Sequence, residues 1–262
     1  MADRMKFYVM ETAGFDIDQS IMAVGVGIGK TIRIKTSFQL LEHPKGNVLF
    51  DTGFSKEAIL NPDKAWGTSE ERLAVPIVSP EMVLSEQLAS VGLKPEDISY
   101  VVATHLHQDH SGANLEVPNA TFICQRKEME YAKDPDIPSM RREYHLDEIA
   151  PDKLNYELID GDYDLFGDGT VTMFPAPGHT PGSQAVIIRL PDTGPVILAG
   201  DAIWTSMVMD EMMIPGICWF AAEYCRSKAK IKQIAQDIGA KILHPHDPDL
   251  FVVWKKAPEF YT

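Results

Sequence analysis

Residues 104–112 read Thr-His-Leu-His-Gln-Asp-His-Ser-Gly and crowd His105, His107, Asp109 and His110 into six positions. All four side chains bind divalent metals. Imidazole nitrogen and carboxylate oxygen suit zinc, with iron, cobalt or manganese as alternatives. A His-x-His pair brings two imidazoles together without helical spacing, and the adjacent Asp-His offers two donors that can point away from the first pair. That pattern suits two neighbouring ions better than one. A histidine can also be a packing residue or a solvated loop residue. Three of them with an interleaved acid in so short a stretch read as a metal site.

Other residues with chemical potential are scattered. His179 lies in Pro-Gly-His-Thr-Pro-Gly, Asp201 ends the run Val-Ile-Leu-Ala-Gly-Asp, and His246 precedes Asp247 in His-Pro-His-Asp. Taken alone, a turn histidine is ordinarily exposed and an aspartate after a strand ordinarily caps a helix. His145 sits among charges and reads as a surface residue. The three cysteines, Cys124, Cys218 and Cys225, lack Cys-x-x-Cys spacing and read as reduced thiols of a cytoplasmic protein.

The elements that must position these groups are mostly short strands. Ile98–Ala103 is apolar and β-branched, so the first histidines fall on the loop where a buried strand ends, the place where open α/β sheets put their sites. Val48-Leu49-Phe50 leads likewise into Asp51-Thr52-Gly53. Strands are expected at 5–10, 32–42, 120–124, 156–159, 163–166, 170–174, 184–190 and 196–199, and another ends near His246. Ser79-Pro80-Glu81 is helix-start chemistry, followed by Leu84, Leu88 and Val91 at helical spacing and Gly92 at its end. Further helices are expected near 125–133 and over 221–238. Residues 54–78 look irregular, with a short helix allowed. Gly25, Gly27 and Gly29 lack the spacing of a nucleotide-binding loop, so residues 17–29 read as a loop or strand edge over a site.

Composition excludes some partners. A net charge of −14 over 262 residues repels phosphate backbones and anionic membranes, so neither nucleic acid nor a membrane surface is expected. No apolar run reaches transmembrane length, and the start lacks a signal-peptide core. With 45% hydrophobic residues the chain can bury a large core, and residues 1–262 are read as one domain of two packed sheets with helices outside.

Taken in order, His-x-His-x-Asp-His after a strand, the Gly-His-Thr-Pro-Gly turn, the Gly-Asp strand end and the late His-Asp resemble the metallo-β-lactamase superfamily. The matching positions span 48–247. The resemblance implies a four-layer αββα sandwich with two divalent ions, zinc first, at one edge. It implies that one ion takes His105, His107 and His179, that the other takes Asp109, His110 and His246, and that Asp201 bridges them. His246 is favoured over His244 because it directly precedes an aspartate, which leaves His244 as a packing residue. Asp51 resembles the acid of the family's Asp-Thr-Gly turn. It is expected either to accept a ligand histidine's remaining N–H or to cap its own loop.

Within the superfamily the chain looks most like the N-acyl homoserine lactonases and relatives such as pyridoxolactonase. The implied reaction opens a lactone ring by attack of a metal-bridging hydroxide, with Asp109 shuttling the proton and Asp109 and Asp201 as the catalytic carboxylates. Those lactonases carry a tyrosine three residues after the bridging aspartate; this chain reads Asp201-Ala-Ile-Trp204. Three readings stay open: Trp204 donates from its indole, Tyr224 supplies the hydroxyl, or the substrate is another lactone. Residues 204–220 are rich in methionine and aromatics, including Met207, and read as a substrate wall, core packing or a homodimer interface. The alternative is hydrolysis of another lactone or thioester, as by glyoxalase II-like enzymes, and an iron dioxygenase is the non-hydrolytic rival.

Overall fold

The computed structural model describes residues 5–66, 74–138, 140–211 and 213–262. Two sheets form. The larger runs β4-β1-β2-β3-β5-β6-β7, with β1 (Lys6–Asp18), β2 (Thr31–Glu42), β3 (Asn47–Phe50), β4 (Ala74–Ile77), β5 (Ile98–Val102), β6 (Thr121–Gln125) and β7 (Asn155–Ile159). The smaller runs β12-β11-β10-β9-β8, with β8 (Tyr163–Asp164), β9 (Val171–Pro175), β10 (Gln184–Leu190), β11 (Gly194–Leu198) and β12 (Lys241–Leu243).

Strand alternation dictates how these sheets stack. Phe7, Val9, Val48, Phe50 and Val102 face Val186, Ile188, Val196 and Leu198 in one buried cluster between the sheets. The intervening residues point outward: Tyr8, Met10, Leu49 and Val101 pack under Leu84 and Leu88 of the helix Leu84–Ala89. On the far side Ala185, Ile187 and Ile197 pack against Tyr224, Ile231 and Ala235 of the long helix Ala221–Ile238. Both faces of both sheets are therefore apolar, and helices cover the outer two. The result is the expected αββα sandwich.

Chain direction matters for the site. Strands β3, β5, β6 and β7 pair in parallel, as do β11 and β12. Their carboxyl ends consequently open on one edge, where the loops carrying Asp51, His105 and Asp201 emerge.

Local expectations are met with some differences. Ser79 makes no side-chain cap; a 3-10 turn at Pro80–Met82 comes first and the α-helix starts only at Leu84. Residues 54–78 hold two short helices, Lys56–Leu60 and Pro62–Trp66, and the edge strand β4. Residues 17–29 finish β1, form a turn of helix at Gln19–Met22 and then loop outward. His145 is partly exposed and pairs with Glu148. His244 is half-buried, with Nδ1 2.9 Å from the carbonyl of Ile203, outside the metal cluster as expected. The three cysteines are free thiols. Among the described residues no helix is long and apolar enough to cross a membrane.

The methionine-rich segment is held by an unusual buried cation. Lys228 is 1% exposed, and its ammonium donates to the carbonyls of Val208, Asp210 and Met213 at 2.8, 2.5 and 2.6 Å. Three carbonyls thus converge on one amine, that of Asp210 also accepting from the Met213 N–H at 3.2 Å. Lys228→Met keeps the aliphatic stem and takes the ammonium donor away from the Val208 and Met213 carbonyls. We expect a loss of about 2–4 kcal/mol, seen as a Tm lower by roughly 5–15 °C in a thermal melt. A change under about 1 °C would mean that water replaces the ammonium at no cost.

Candidate metal centre

The loop after β5 begins with Thr104, and its local hydrogen bonds explain the placement of the first donors. Asp51 ends β3 with a φ of 62°, a left-handed conformation that aspartate tolerates better than most residues. Its carboxylate accepts from the Thr104 N–H at 2.7 Å and the Thr104 hydroxyl at 2.8 Å, and lies 2.7 Å from His110 Nδ1. The carboxylate fixes Nδ1 as the protonated nitrogen of His110 and leaves Nε2 facing inward. Of the two roles expected for Asp51, holding a histidine is the one observed; the backbone it anchors belongs to the neighbouring loop, not its own. One turn of helix, Gln108–Ser111, then carries Asp109 and His110, and the His110 ring lies beside that of His105 with centroids 4.1 Å apart.

The remaining donors arrive from the other sheet. His179 follows β9, and its Nδ1 lies 3.0 Å from the carbonyl of Ile217, so its Nε2 points to the centre. Asp201 sits in the 3-10 turn Gly200–Ile203 that ends β11. His246 follows β12, with Nδ1 3.3 Å from the Thr36 hydroxyl.

All seven expected donors meet at this edge. His105, His107 and His179 form one group; Asp109, His110 and His246 form a second; His105, His110 and Asp201 form a third. Within each, the donor atoms lie within 4.8 Å of one another. Asp201 reaches both sides: Oδ1 is 3.3 Å from His110 Nε2 and 3.2 Å from His246 Nε2, and Oδ2 is 3.2 Å from His179 Nε2.

These residues fit divalent cations. His107 Nδ1 faces His179 Nε2 at 3.0 Å, and His110 Nε2 faces His246 Nε2 at 3.3 Å. Such converging imidazole nitrogens can share a proton or together ligate a cation. His105 Nε2 is buried without a hydrogen-bond partner, an arrangement that costs free energy unless a ligand satisfies it.

The electrostatics divide the set. Burial, reinforced by the neighbouring imidazoles, pushes His105 and His107 well below the usual histidine range, and burial lowers His179 too. Burial acts the same way on His110, but Asp109, Asp201 and Asp51 outweigh it and raise its pKa well above the usual value. Asp201 and its own hydrogen bond raise His246 similarly. One triad is therefore poised as neutral ligands, while the other sits among carboxylates.

A cavity of about 560 Å³ opens above the donors. His107, Asp109, His179, Asp201 and His246 form its floor, and Phe15, Ile17, Ile21, Met22, Trp204 and Ile217 contribute apolar wall. Gln108, Arg142 and Glu143 line one side. Asp109, at 21% side-chain exposure, is the most accessible carboxylate of the set.

The expected substrate contacts fare unequally. Trp204 lines the cavity, but its indole N–H donates to the carbonyl of Met22 at 3.0 Å and is committed there. Tyr224 is fully buried under the second sheet and does not line the cavity. Met207 also lies outside the lining and packs with the outer cluster, its sulfur 3.6 Å from the Gln19 amide. Of the expected wall, Ile217 reaches the cavity; Met209, Met213 and Ile214 pack as core, and Met212 lies outside the described residues.

One residue escaped the sequence reading entirely. Glu128, on the helix Arg126–Lys133, is 0% exposed, and its carboxylate sits directly behind the loops of His107 and His179. Within a run of Arg, Lys and Glu it looks like any solvated helix position, and no local signal marks it. Gly182 makes the fit possible, since a Cβ there would lie 2.2 Å from the Glu128 nitrogen.

Comparison with known proteins accords with this geometry. The family model described as the metallo-beta-lactamase superfamily matches residues 36–210. The N-acyl homoserine lactonase AttM of Azorhizobium caulinodans is 34% identical, with 98% of each chain covered. The N-acyl homoserine lactonase of Bacillus cereus is 31% identical, over 97% of this chain and 98% of that one. Among solved structures, an N-acyl homoserine lactone hydrolase with the product N-hexanoyl-L-homoserine bound at its catalytic metal center superposes with a TM-score of 0.86. It is 29% identical and covers 98% of both chains.

Proposed function

The chain belongs to the metallo-β-lactamase superfamily, and on that premise we propose that it is a dinuclear metal hydrolase that opens the ring of a lactone, an N-acyl homoserine lactone first among them. The observation that carries this reading is the convergence of seven histidine and aspartate donors on the floor of an apolar-walled cavity. Relatives named as N-acyl homoserine lactonases align over nearly the whole length and support the substrate class.

We assign His105, His107 and His179 to one ion, Asp109, His110 and His246 to the other, and Asp201 to both. Five imidazoles favour zinc, or cobalt, manganese or iron, over magnesium or calcium. When bound, two such ions supply Lewis acidity to the lactone carbonyl and a hydroxide nucleophile at neutral pH. The chain's own residues do the rest. Phe15, Ile17, Ile21 and Met22 take the apolar part of the substrate and exclude water from the floor. Asp109 is held ionised because His110 and His246 outweigh its burial. It also faces the cavity, and with Oδ2 turned to His110 and His246 its other oxygen is the one able to take a proton and return it to the departing ring oxygen. Asp51 keeps His110 in one tautomer throughout.

The carbonyl is not read by a phenol. Trp204 stands where the lactonases carry tyrosine, its N–H is occupied, and no tyrosine lines the cavity among the described residues. Trp204 acts instead as a brace for the turn Gln19–Met22, which carries part of the wall. Trp204→Phe removes that hydrogen bond and trims the buried ring. We expect KM for lactones to rise about fivefold, equivalent to about 1 kcal/mol, with kcat held. A drop in kcat at unchanged KM would return the indole N–H to a role in the reaction.

The test of the function is hydrolysis by zinc-, manganese- and cobalt-loaded protein of a panel of lactones, thioesters and phosphodiesters. Ring opening of acyl homoserine lactones is expected, followed by proton release at constant pH. Clear thioester turnover with no lactone turnover would reject the lactonase reading and favour a glyoxalase II-like one.

A further inference from the structure

We infer that Glu128 is the positioning residue for one of the two metal sites, the one formed by His105, His107 and His179, and not for the other. The inference rests on the metal-binding role proposed for those histidines.

Glu128 is a fully buried carboxylate with no cation beside it; its partners are four hydrogen-bond donors. Oε1 accepts from the Leu106 N–H at 3.0 Å and the Tyr144 hydroxyl at 2.9 Å. Oε2 accepts from the Thr180 hydroxyl at 2.5 Å and the Gly182 N–H at 3.2 Å. Three of those donors adjoin a ligand of the same triad, and the fourth, Gly182, closes the turn that carries His179. Leu106 lies between His105 and His107. Thr180 follows His179. The Tyr144 ring packs edge-on against His107, with ring centroids 4.7 Å apart. One oxygen thus ties down the loop from the first sheet, and the other ties down the turn from the second.

The opposite triad has separate support. His110 is held by Asp51 and His246 by Thr36. Asp109, His110 and His246 make no hydrogen bond to Glu128 among the described residues. Asp51 serves both sides, holding His110 directly and the loop of His105 through Thr104, whereas Glu128 bears on the first triad alone.

Burying this carboxylate costs desolvation free energy, which its four hydrogen-bond donors offset, and an apolar replacement would strand those donors. What an apolar side chain cannot do is hold two loops from different sheets at a fixed separation. Glu128→Gln keeps the shape but fails chemically. Both oxygens face a backbone N–H, from Leu106 on one side and Gly182 on the other, so the amide NH₂ meets an N–H whichever way it turns. One loop is released.

The experiment titrates Co²⁺ into metal-free wild type and Glu128→Gln against a chromophoric chelator, following equivalents bound and the cobalt visible spectrum. Wild type is expected to bind two equivalents. In Glu128→Gln one equivalent keeps its affinity, and the other weakens about 10–100-fold with an altered spectrum. Tyr144→Phe, which removes one donor and keeps the ring on His107, should weaken the same equivalent by a smaller factor. Combined with Glu128→Gln it should add less than its separate effect. If Glu128→Gln does not fold, Tyr144→Phe alone decides. Two unperturbed equivalents in the variants, or equal weakening of both, would overturn the role given to Glu128 while leaving the metal reading intact. A wild type that binds no cobalt would overturn both.

Discussion

Asp201→Asn lowers kcat/KM for lactones by about a thousand-fold and leaves the purified protein short of metal. The expectation follows from position. Asp201 is the one carboxylate among the described donors that approaches imidazoles of both triads, with His110 and His246 on one oxygen and His179 on the other. Asparagine keeps the size, removes the charge and turns an amide N–H₂ toward imidazole nitrogens that need a cation. Losing several kcal/mol of charge stabilisation at the floor of the cavity corresponds to about three powers of ten in rate. Steady-state kinetics and elemental analysis of the same preparation check it. Full metal content with turnover within about tenfold of wild type would remove Asp201 from both coordination spheres.

Removing the metals should also cost a large part of the stability. Without cations, two pairs of imidazole nitrogens face each other at 3.0 and 3.3 Å, and His105 Nε2 is buried unsatisfied. An ion held at about a thousand times its Kd stabilises the folded state by about 4 kcal/mol, so two sites contribute about 8 kcal/mol. For a chain of this size that is a fall in Tm of roughly 15–30 °C on chelation. Zinc or cobalt should restore it, and magnesium, which prefers oxygen ligands, should not. A Tm indifferent to chelator in protein shown to have lost its metal would mean that the site is assembled by the fold alone.

The two predictions draw on residues of different legibility. His105, His107, Asp109 and His110 announce themselves because four donors share six positions. His179, Asp201 and His246 become visible only as an ordered series, since each alone resembles an ordinary turn or cap. The strands were readable from alternation, as Phe7 and Val9 against Tyr8 and Met10 show. The helix after Ser79 was misplaced because Val83 stays extended between the 3-10 turn and the α-helix.

Glu128 shows the limit from the other side. Its meaning lies in Leu106, Tyr144, Thr180 and Gly182, which are distant in sequence and adjacent only after the two sheets pack. Trp204 and Tyr224 show it again. The sequence marks Trp204 as a departure from the lactonase pattern, but whether its N–H is free depends on where the Met22 carbonyl falls. Tyr224 offers a hydroxyl in sequence and hides it beneath the second sheet in space.

Residue type and local spacing by themselves determined that this chain binds divalent metal at strand ends, and the order of its motifs determined the architecture. Tertiary structure alone decided which carboxylate lies against which histidine, which wall residues reach the cavity, and that no tyrosine among the described residues lines it. The reason is physical. A ligand's chemistry is written in its own side chain, whereas burial, orientation and hydrogen-bond satisfaction are properties of the neighbours that packing brings to it.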